Sequence, residues 1–337
     1  MNFVPKDIST ARPDSGREIA SRSGALDLSV GTVVCIPSFR RPQHLRLTLE
    51  SLAAQRTRRP FAVVIVENDA AGGQSLSVAH GFLVSGKLQG ICVIERAQGN
   101  CSAINAAFGT ALAMFPVAEN FLMIDDDEIA SPDWLERMVA AAETTGADII
   151  GGPVFPDFDD GGKGWLARHP AFRPAHDISG PVPVIYGCGN CLITRTVFAR
   201  LAAPAFDLHF NFLGGGDTDF FWRCRLAGMR FHWVEDAIIT ETVPHGRTVF
   251  GWLVWRGLRI GAINFHVRYK AARTMWSRMA VLAAVLGRLP LSLVRTARLM
   301  LTEKAVIALH PLALAIGGVL AAIGIELQPY KAPKIAS

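Results

Sequence analysis

The chain has 337 residues, a formal net charge of +5 and a sequence pI near 9.0. Half of its residues are hydrophobic, and its mean hydropathy of +0.28 is high for a purely soluble enzyme. The length leaves room for one large or two modest domains, and the basic balance suits nucleic acid, a membrane surface or a phosphate-rich substrate. Because the basic residues lie mostly among C-terminal apolar runs, the composition disfavours nucleic-acid binding.

The six cysteines give no sign of a disulfide framework. They are scattered, and the first thirty residues contain no apolar signal segment, so we expect a cytoplasmic chain. Cys188 and Cys191 form a single C-x-x-C, whereas a structural zinc site needs two further ligands. The sequence therefore predicts buried thiols at these positions.

The N-terminal half predicts an alternation of strands and helices. Residues 1–29 are polar and without periodicity, and we predict that they are disordered. The predicted strands are GTVVCIPSF, FAVVIVEND, GICVIE and NFLMIDDD; the predicted helices are RPQHLRLTLESLAAQ, NCSAINAAFGTALAMF and PDWLERMVAAAETT, the last with Ser131-Pro132 as N-cap and first turn. Continuous apolar strands of this kind indicate a parallel sheet that is covered on both faces, and hence an α/β fold.

Polar clusters follow three of these strands, in PSFRRP, VENDAAG and IDDDE. In sheets of this class, ligands bind beyond the carboxyl ends of the strands. Three clusters at three strand ends therefore predict one binding site.

The stretch FLMIDDDEIASPDWLERM carries four consecutive acids. Taken alone it allows three interpretations: a solvated acidic turn, the Mg²⁺-holding strand of a P-loop enzyme, or a D-x-D site in which Asp125 and Asp127 hold one metal that carries a diphosphate. The P-loop alternative lacks a partner, because neither Gly86-Lys87 nor Gly162-Lys163 has the glycine spacing or the following Ser/Thr. Clustered carboxylates repel one another unless a cation shares the space, and Mg²⁺ or Mn²⁺ prefers oxygen ligands.

The segment after residue 148 predicts strands in a mixed or antiparallel arrangement and a candidate general base. In FLGGGDTDFFWRCRLAG, Asp217 precedes a helix that Gly228 closes, and the spacing allows either an N-cap or a catalytic base. Asp219 is four residues before Arg223 and is expected to be structural. The Gly- and Pro-rich loop over residues 155–177 is expected to order when a ligand binds.

The C-terminal region, residues 251–337, predicts basic and apolar helices. Between Arg256 and Lys304 there are ten Lys or Arg residues and one acid, Glu303, and residues 305–325 carry no formal charge. A helix of that length would span a bilayer core of about 30 Å. Basic helices beside apolar stretches equally suit burial at the surface of an anionic membrane, so interfacial helices, a true span and a soluble helical cap all remain open.

Six motifs in sequence order resemble the inverting glycosyltransferases of family 2, and within them the bacterial exopolysaccharide, succinoglycan-type group. The motifs are VVCIPSFRRP, VVIVENDA, NCSAINAAF, FLMIDDDEIASPDWL, YGCGNCLITR and GGGDTDFFWRCRLAG, over residues 31–230. The resemblance implies a GT-A fold over residues 30–250. It also implies a metal, Mg²⁺ or Mn²⁺, with Asp127 as direct ligand and Asp125 beside it, and Asp217 as catalytic base. The residues implied on the nucleotide-sugar side are Pro37, Ser38, Arg40, Glu67, Asn68, Asp69, Asn105, Asp125 and Asp126; those on the acceptor and sugar side are Gly189, Asn190, Gly215 and Gly216.

Two departures from the family pattern stand out. Gly216-Asp217 replaces the usual Glu-Asp, and Arg40 stands where Asn is common. The Q-x-x-R-W motif of processive synthases is absent, which favours the addition of one sugar at a time.

The expected function is metal-dependent transfer of one sugar from a nucleotide-diphosphate donor, with a UDP-sugar favoured. The expected acceptor is polyprenyl-diphosphate-linked or an oligosaccharide. The expected location is the cytoplasmic face of the inner membrane, with the chain peripheral or held by one C-terminal segment. The alternative, motivated by Gly216, is a catalytically silent sugar-nucleotide or glycan-binding scaffold of an assembly complex.

Overall fold

A nine-stranded mixed sheet forms the centre of the protein. The structure is a computed structural model, and it describes residues 17–158 and 164–325. The strands are β1 Glu18–Arg22, β2 Thr32–Ser38, β3 Phe61–Glu67, β4 Gly90–Ile94, β5 Asn120–Met123, β6 Glu128–Ala130, β7 Ile149–Gly151, β8 Val154–Phe158, β9 Gly180–Val182, β10 Cys191–Thr194, β11 Phe231–Trp233 and β12 Ile239–Val243. The α-helices are α1 Pro42–Ala53, α2 Leu76–Val84, α3 Asn100–Met114, α4 Trp134–Thr145, α5 Arg195–Arg200, α6 Gly216–Leu226, α7 Phe250–Ala271, α8 Met275–Leu299, α9 Ala305–Ala308 and α10 His310–Ala322.

Both faces of the sheet are covered, as the apolar strands predict. Successive residues of a strand point to opposite faces, and in β2 Val33 and Cys35 pack with α3 whereas Val34 and Ile36 pack with α1 and α4. Leu45, Leu49 and Leu52, on one side of the predicted helix α1, are buried in the second of these layers. The expected α/β class is confirmed.

The order of the large sheet is β1-β4-β3-β2-β5-β10-β7-β11-β9. Strands β2 to β5 run parallel in the order β4-β3-β2-β5, so their carboxyl ends, including Ser38 and Glu67, meet at one edge. Strand β10 then runs antiparallel between β5 and β7. A second sheet has the order β6-β12-β8, and its strand β6 follows β5 directly along the chain. The second half is mixed, as predicted.

Two local expectations are wrong. Residues 18–22 of the stretch predicted to be disordered form β1, which pairs antiparallel with β4; residues 1–16 lie outside the described residues. Helix α4 begins at Trp134 with Asp133 as its N-cap, not with Ser131. Ser131 instead pairs through its backbone with Ile238, which ties the start of α4 to the second sheet.

The C-terminal helices pack on the sheet domain and on one another. Ile263 and Val267 of α7 join the main core layer. Helices α7 and α10 approach so closely that a Cβ on Gly261 would overlap the Leu314 carbonyl, and one on Gly317 would overlap that of Leu258. Small residues permit this kind of contact between apolar helices.

The loop between β8 and β9 contains a short helix that packs on the C-terminal helices. A 3-10 helix, Gly164–Arg168, buries Leu166 against Leu253 of α7 and Ile307 of α9. Ordering of this loop on ligand binding stays a prediction, and residues 159–163 lie outside the described part of the chain.

Candidate active site

The four consecutive acids form a tight turn between β5 and β6. The backbone nitrogen of Asp125 donates to Glu128 Oε2 at 2.7 Å, and that of Glu128 donates to the Asp125 carbonyl at 3.2 Å. Thr48 of α1 fixes the turn through its hydroxyl, which donates to the carbonyls of Asp126 at 3.1 Å and Glu128 at 2.7 Å. The solvated-turn interpretation is wrong for Asp126, Asp127 and Glu128, because all three are buried.

Negative charge in this turn exceeds what its surroundings neutralise. Glu241 of β12 lies directly opposite Glu128 in the antiparallel register, an unfavourable placement for like charges. Burial, followed by the charges of Asp127 and Asp126, raises the pKa of Asp125 to about 8. Burial and the charge of Asp125 likewise raise the pKa of Glu128 well above its ordinary value. A cation bound here would relieve this repulsion.

Two arginines partly compensate the acidic turn. Arg41 Nη1 lies 2.6 Å from Asp127 Oδ2 and 3.1 Å from Asp126 Oδ1. Arg247 Nη1 lies 2.8 Å from Glu241 Oε1 and 3.8 Å from Asp127 Oδ2. Burial works against the Arg41 charge, but Asp127 and Asp126 outweigh it and raise the pKa of Arg41.

Sequence reasoning missed Arg41, Glu241 and Arg247. The basic pair in PSFRRP offered a signal for Arg41, but Arg40 was selected. No local pattern marks Glu241 or Arg247, which lie more than a hundred residues along the chain and reach the turn only through β12.

The residues at the turn fit a divalent cation with few protein ligands. Within residues 17–158 and 164–325 no group of three or more His, Cys, Asp or Glu side chains is arranged to hold a metal. Asp125 and Asp127 could supply two oxygens, and Mg²⁺ characteristically takes one or two carboxylates and completes its shell with substrate phosphates and waters. The clustered carboxylates of the turn favour such an ion. Asp127 is paired with Arg41 in this structure.

The loops after β2 and β3 meet the acidic turn at the edge of the sheet. Ser38 Oγ lies 2.8 Å from Ser75 Oγ at the buried end of β2, next to Pro37. The backbone nitrogen of Phe39 donates to Asp126 Oδ2 at 3.1 Å. Arg40 Nε donates to Asp69 Oδ2 at 2.8 Å, so the structure brings these predicted residues together.

Two residues predicted on the nucleotide side hydrogen-bond to the backbone of neighbouring loops. Glu67 is fully buried and accepts from the backbone nitrogens of Asp69 and Ser75, each at 2.8 Å. Asn68 donates to the carbonyls of Glu95 and Ala97 and accepts from a backbone nitrogen of the next loop. Their polar atoms hold the loops that follow β3 and β4, and their contact with a nucleotide stays a prediction.

Asn105 and Asn190 also hydrogen-bond to the protein itself, and their contact with substrate stays a prediction. Asn105 exchanges two hydrogen bonds with the backbone of Phe206. Asn190 is buried, accepts from Trp134 Nε1 at 2.8 Å and donates to two carbonyls at 2.8 Å. Each pins a loop to a helix or strand of the sheet domain.

Asp217 lies in the first turn of α6, whose N-cap is Gly215 in the left-handed conformation. The N-cap interpretation of Asp217 is therefore wrong. Its Oδ1 accepts from the backbone nitrogen of Thr218 at 2.7 Å, and among the described residues its Oδ2 has no hydrogen-bond partner. An oxygen without a partner is what a general base requires.

A glycine strip connects Asp217 with the acidic turn. A Cβ on Gly187 would lie 4.0 Å from Asp217 Oδ2, and a Cβ on Gly189 would overlap the Glu128 carboxylate. Residues 187–189 thus have Asp217 on one side and the acidic turn on the other. Gly189 is required for close approach of the backbone to Glu128.

Packing accounts for Gly215 and Gly216. A Cβ on Gly216 would overlap Cys101 Sγ of α3, and one on Gly215 would overlap Ile263 of α7. The space of the family's usual glutamate is filled by a buried thiol. All six cysteines are free and buried, as predicted for Cys188 and Cys191.

Asp219 is structural, as predicted. Its Oδ2 accepts from Arg223 Nε at 2.8 Å, and its Oδ1 accepts from Lys270 Nζ of α7 at 2.7 Å. The ion pair with Lys270 ties α6 to the C-terminal helices.

Comparisons with known proteins agree with this architecture. The family model described as Glycosyl transferase family 2 matches residues 33–201, and that described as Glycosyl transferase family group 2 matches residues 121–323. Over 267 residues the chain is 31% identical to the succinoglycan biosynthesis protein ExoM of Rhizobium meliloti (strain 1021), an alignment that covers 78% of this chain and 81% of the relative.

Two further proteins are similar over different lengths. Glucosyl-dolichyl phosphate glucuronosyltransferase of Haloferax volcanii is 32% identical over 148 residues, which is 44% of this chain and 42% of the relative. The mannosyltransferase PcManGT of Pyrobaculum calidifontis, solved with GDP-Man and Mn²⁺, superposes with a TM-score of 0.56 at 17% identity, and the match covers 88% of this chain and 90% of that one. The structural likeness identifies the fold alone.

Proposed function

We propose a specific reaction for this chain. The premise is that the chain belongs to glycosyltransferase family 2 and is a GT-A-fold glycosyltransferase of exopolysaccharide type. It transfers one sugar from a nucleotide-diphosphate donor to a lipid-linked or oligosaccharide acceptor. The observation that carries the proposal is the buried acidic turn at the strand ends, with Asp217 across the glycine strip from it.

The donor diphosphate binds at the acidic turn together with Mg²⁺ or Mn²⁺. Asp125 and Asp127 hold the cation, and when bound it supplies charge neutralisation for the departing diphosphate. Ser38, Arg40 and Asp69 line the nucleotide side, supported by their position at the adjoining strand ends. A UDP-sugar is the favoured donor.

Asp217 acts as the base. Its free Oδ2 takes the proton of the acceptor hydroxyl while that oxygen attacks the anomeric carbon in line with the departing diphosphate, which inverts the configuration. Its position in the first turn of α6, beside the Gly187–Gly189 strip, supports this role. Because Cys101 fills the space at Gly216, the missing glutamate is a packing change and gives no reason to favour a silent scaffold.

The acceptor is carried by a polyprenyl diphosphate at the cytoplasmic face of the inner membrane. The Haloferax relative is named for a glucosyl-dolichyl phosphate, a sugar on a lipid phosphate. Met275–Leu299 and Ala305–Ala322 are long and apolar enough to cross a membrane, with mean hydropathies of 1.5 and 2.1, though half of the second is buried in the protein. We assign residues 30–250 to the catalytic domain and 251–337 to the membrane-associating region.

A thermal-shift panel of UDP, GDP, CDP and dTDP, each with and without Mn²⁺, tests the donor assignment. Binding to the native state raises the melting temperature by mass action. We expect one nucleotide to give a metal-dependent shift that Asp127→Ala abolishes. No shift with any nucleotide, in protein shown to be folded, would contradict the proposal.

The role of Asp217 is tested by donor turnover in Asp217→Asn. We expect the nucleotide shift to persist and turnover to fall by about 10²–10⁴-fold, the usual contribution of a general base. Asp219→Asn removes a charge from the same helix turn and breaks a structural ion pair. Its main expected effect is a lower melting temperature. Equal turnover in Asp217→Asn and wild type would exclude Asp217 as the base.

A further inference from the structure

Helices α7, α8 and α10 line a half-open cavity of about 500 Å³ that the proposed catalytic residues do not line. Its wall is mostly apolar, with Phe265, Val281, Val285, Leu291 and Leu314 among the lining residues. Three arginines, Arg268, Arg288 and Arg295, line the same cavity. An apolar cavity with several cations matches a ligand that has a hydrocarbon chain and an anionic head.

The positive charge at this cavity has no carboxylate partner among residues 17–158 and 164–325. Helices α7 to α10 contain no Asp or Glu. Within the described residues, no ion pair joins any of the three arginines to a carboxylate. Burial, and next the positive charge of Arg288, lower the pKa of Arg268, as expected for cations placed together without a counter-ion. An anion bound between them would remove this repulsion.

A second, smaller cavity lies beside this one. It has a volume of about 40 Å³ and shares Asn264 and Arg268 with the large cavity. Its other lining residues include Tyr186 and Thr218, and Thr218 follows Asp217 and bonds to it. Arg268 therefore lies between the large cavity and the residue that follows the proposed base.

We propose that the large cavity binds the diphosphate and the first isoprenoid units of the lipid-linked acceptor, with Arg268, Arg288 and Arg295 as phosphate-binding residues. This inference rests on the proposed function for the identity of the lipid. Arginine suits the role because its planar guanidinium donates to phosphate oxygens in pairs. Thr218, which follows the proposed base Asp217, lines the neighbouring small cavity, so the site lies on the side of α7 that faces the start of α6.

Calorimetric titration of the full chain in neutral detergent with farnesyl diphosphate tests the site. Farnesol, inorganic diphosphate and phosphatidylglycerol serve as separate ligands and competitors. We expect Arg288→Gln/Arg295→Gln to weaken farnesyl diphosphate binding by on the order of tenfold to a hundredfold, because charge-assisted hydrogen bonds are lost. Farnesol and inorganic diphosphate should each bind more weakly than the whole molecule in wild type.

The matched control is Arg273→Gln/Arg298→Gln, which removes two charges from the same region without touching the lining of the cavity. It should bind farnesyl diphosphate as wild type does. If the cavity variant binds within about twofold of wild type, or if phosphatidylglycerol competes as strongly as farnesyl diphosphate, the proposal is overturned.

The nucleotide shift with Mn²⁺, measured on the same variants, separates this inference from the proposed function. We expect it to be unchanged in both double variants, which also shows that they are folded. If farnesyl diphosphate binding does not depend on Arg288 and Arg295 while the nucleotide shift is intact, the cavity assignment alone is overturned. Absence of the nucleotide shift from wild type, with arginine-dependent binding present, overturns the donor assignment alone.

Discussion

At the scale of single residues, two neighbouring arginines have different partners. Arg40 has a positive φ of 58° and reaches Asp69, while Arg41 turns into the acidic turn and pairs with Asp126 and Asp127. Arg41 therefore neutralises the carboxylate that we propose as a metal ligand. A divalent cation that takes Asp127 competes with Arg41 for it.

Replacing Arg41 should expose this competition. In the metal-free protein we expect Arg41→Gln to lower the free energy of unfolding by about 1–3 kcal/mol, since it leaves buried carboxylates unpaired while the guanidinium itself is partly exposed. Mn²⁺ should then raise the melting temperature more in the variant than in wild type. Denaturant unfolding with and without Mn²⁺ measures both effects.

Arg40→Gln is the control for Arg41, because its partner Asp69 lies outside the acidic turn and its side chain is 60% exposed. We expect it to change the metal-induced rise little. A rise that is equal in wild type and Arg41→Gln would show that Arg41 does not compete with the cation.

The acidic turn also predicts a pH dependence. The pKa of Asp125 is raised to about 8 in the folded state by burial and like charges, so between about pH 4 and 8 the folded protein binds more protons than the unfolded chain. The contribution of this group to stability is therefore present at low pH and is lost as the pH rises through that window. Because metal ligation requires the carboxylate, Mg²⁺ should raise the melting temperature more at pH 8 than at pH 5.

The measurement is a melting series from pH 5 to 8, with and without Mg²⁺, for wild type and Asp125→Asn. The amide does not titrate, so the variant should show a smaller fall in stability with pH and a smaller metal effect. Identical pH profiles for the two proteins would contradict the assignment of the titration to Asp125.

At the scale of elements, the contact between α3 and the start of α6 determines which side chains position 216 can hold. Cys101 Sγ occupies the volume that a Cβ at position 216 would need, and Phe206 and Phe210 close the remaining space. The first turn of α6, and with it Asp217, is thus held against α3 by a Cys–Gly pair. Lys270 of α7 holds the other side through Asp219.

This contact predicts a coupled pair of substitutions. Gly216→Ala alone should lower the free energy of unfolding by about 1–3 kcal/mol through overpacking. Cys101→Ala removes the obstructing sulfur, so the double variant should be less destabilised than the sum of the single ones by about 1–2 kcal/mol. Denaturant unfolding of the four proteins completes the cycle.

Gly81→Ala in α2 separates helix propensity from packing, because no atom lies within 4 Å of a Cβ built there. We expect it to be neutral or stabilising by up to about 1 kcal/mol. If the changes in the free energy of unfolding for Cys101→Ala and Gly216→Ala were strictly additive, Cys101 Sγ would not be the atom that obstructs a Cβ at position 216.

At the scale of the whole molecule, α8 presents an apolar face away from the protein. Trp276, Leu286 and Leu293 are 79%, 59% and 55% exposed, and Met275 and Met279 extend the same side of the helix. Only 17% of its most apolar window is buried, compared with half of the window in Ala305–Ala322. Helix α10 is packed on α7, so α8 is the element best suited to enter a membrane surface.

Membrane binding should depend on that face. Leu286→Gln/Leu293→Gln should release the full chain from phosphatidylglycerol vesicles in a flotation assay, with a loss of apolar burial worth about 3–5 kcal/mol. Leu226→Gln, which alters an exposed leucine of α6, is the control and should float as wild type does. Flotation of the double variant at the wild-type level would exclude α8 as the membrane-binding element.

The sequence by itself determined the class of fold and the edge of the sheet that carries the site. Apolar strand runs and helix periodicity depend on local burial, and a polar cluster after each of three parallel strands has to fall at one edge. The same local patterns identified Asp125, Asp127 and Asp217 as candidates, and predicted the pairing of Asp219 with Arg223, which the structure confirms.

Only the tertiary structure decided how individual polar side chains are used. Asn105 and Asn190 satisfy loop backbone groups, because buried carbonyls and amides need partners that no local pattern reveals. Glu241 and Arg247 reach the acidic turn through the pairing of β12 with β6, and Gly216 is explained by a thiol on another helix. The arginine cavity likewise arises where three helices meet, since spacing along one helix does not fix which charges face a neighbour and which remain without a counter-ion.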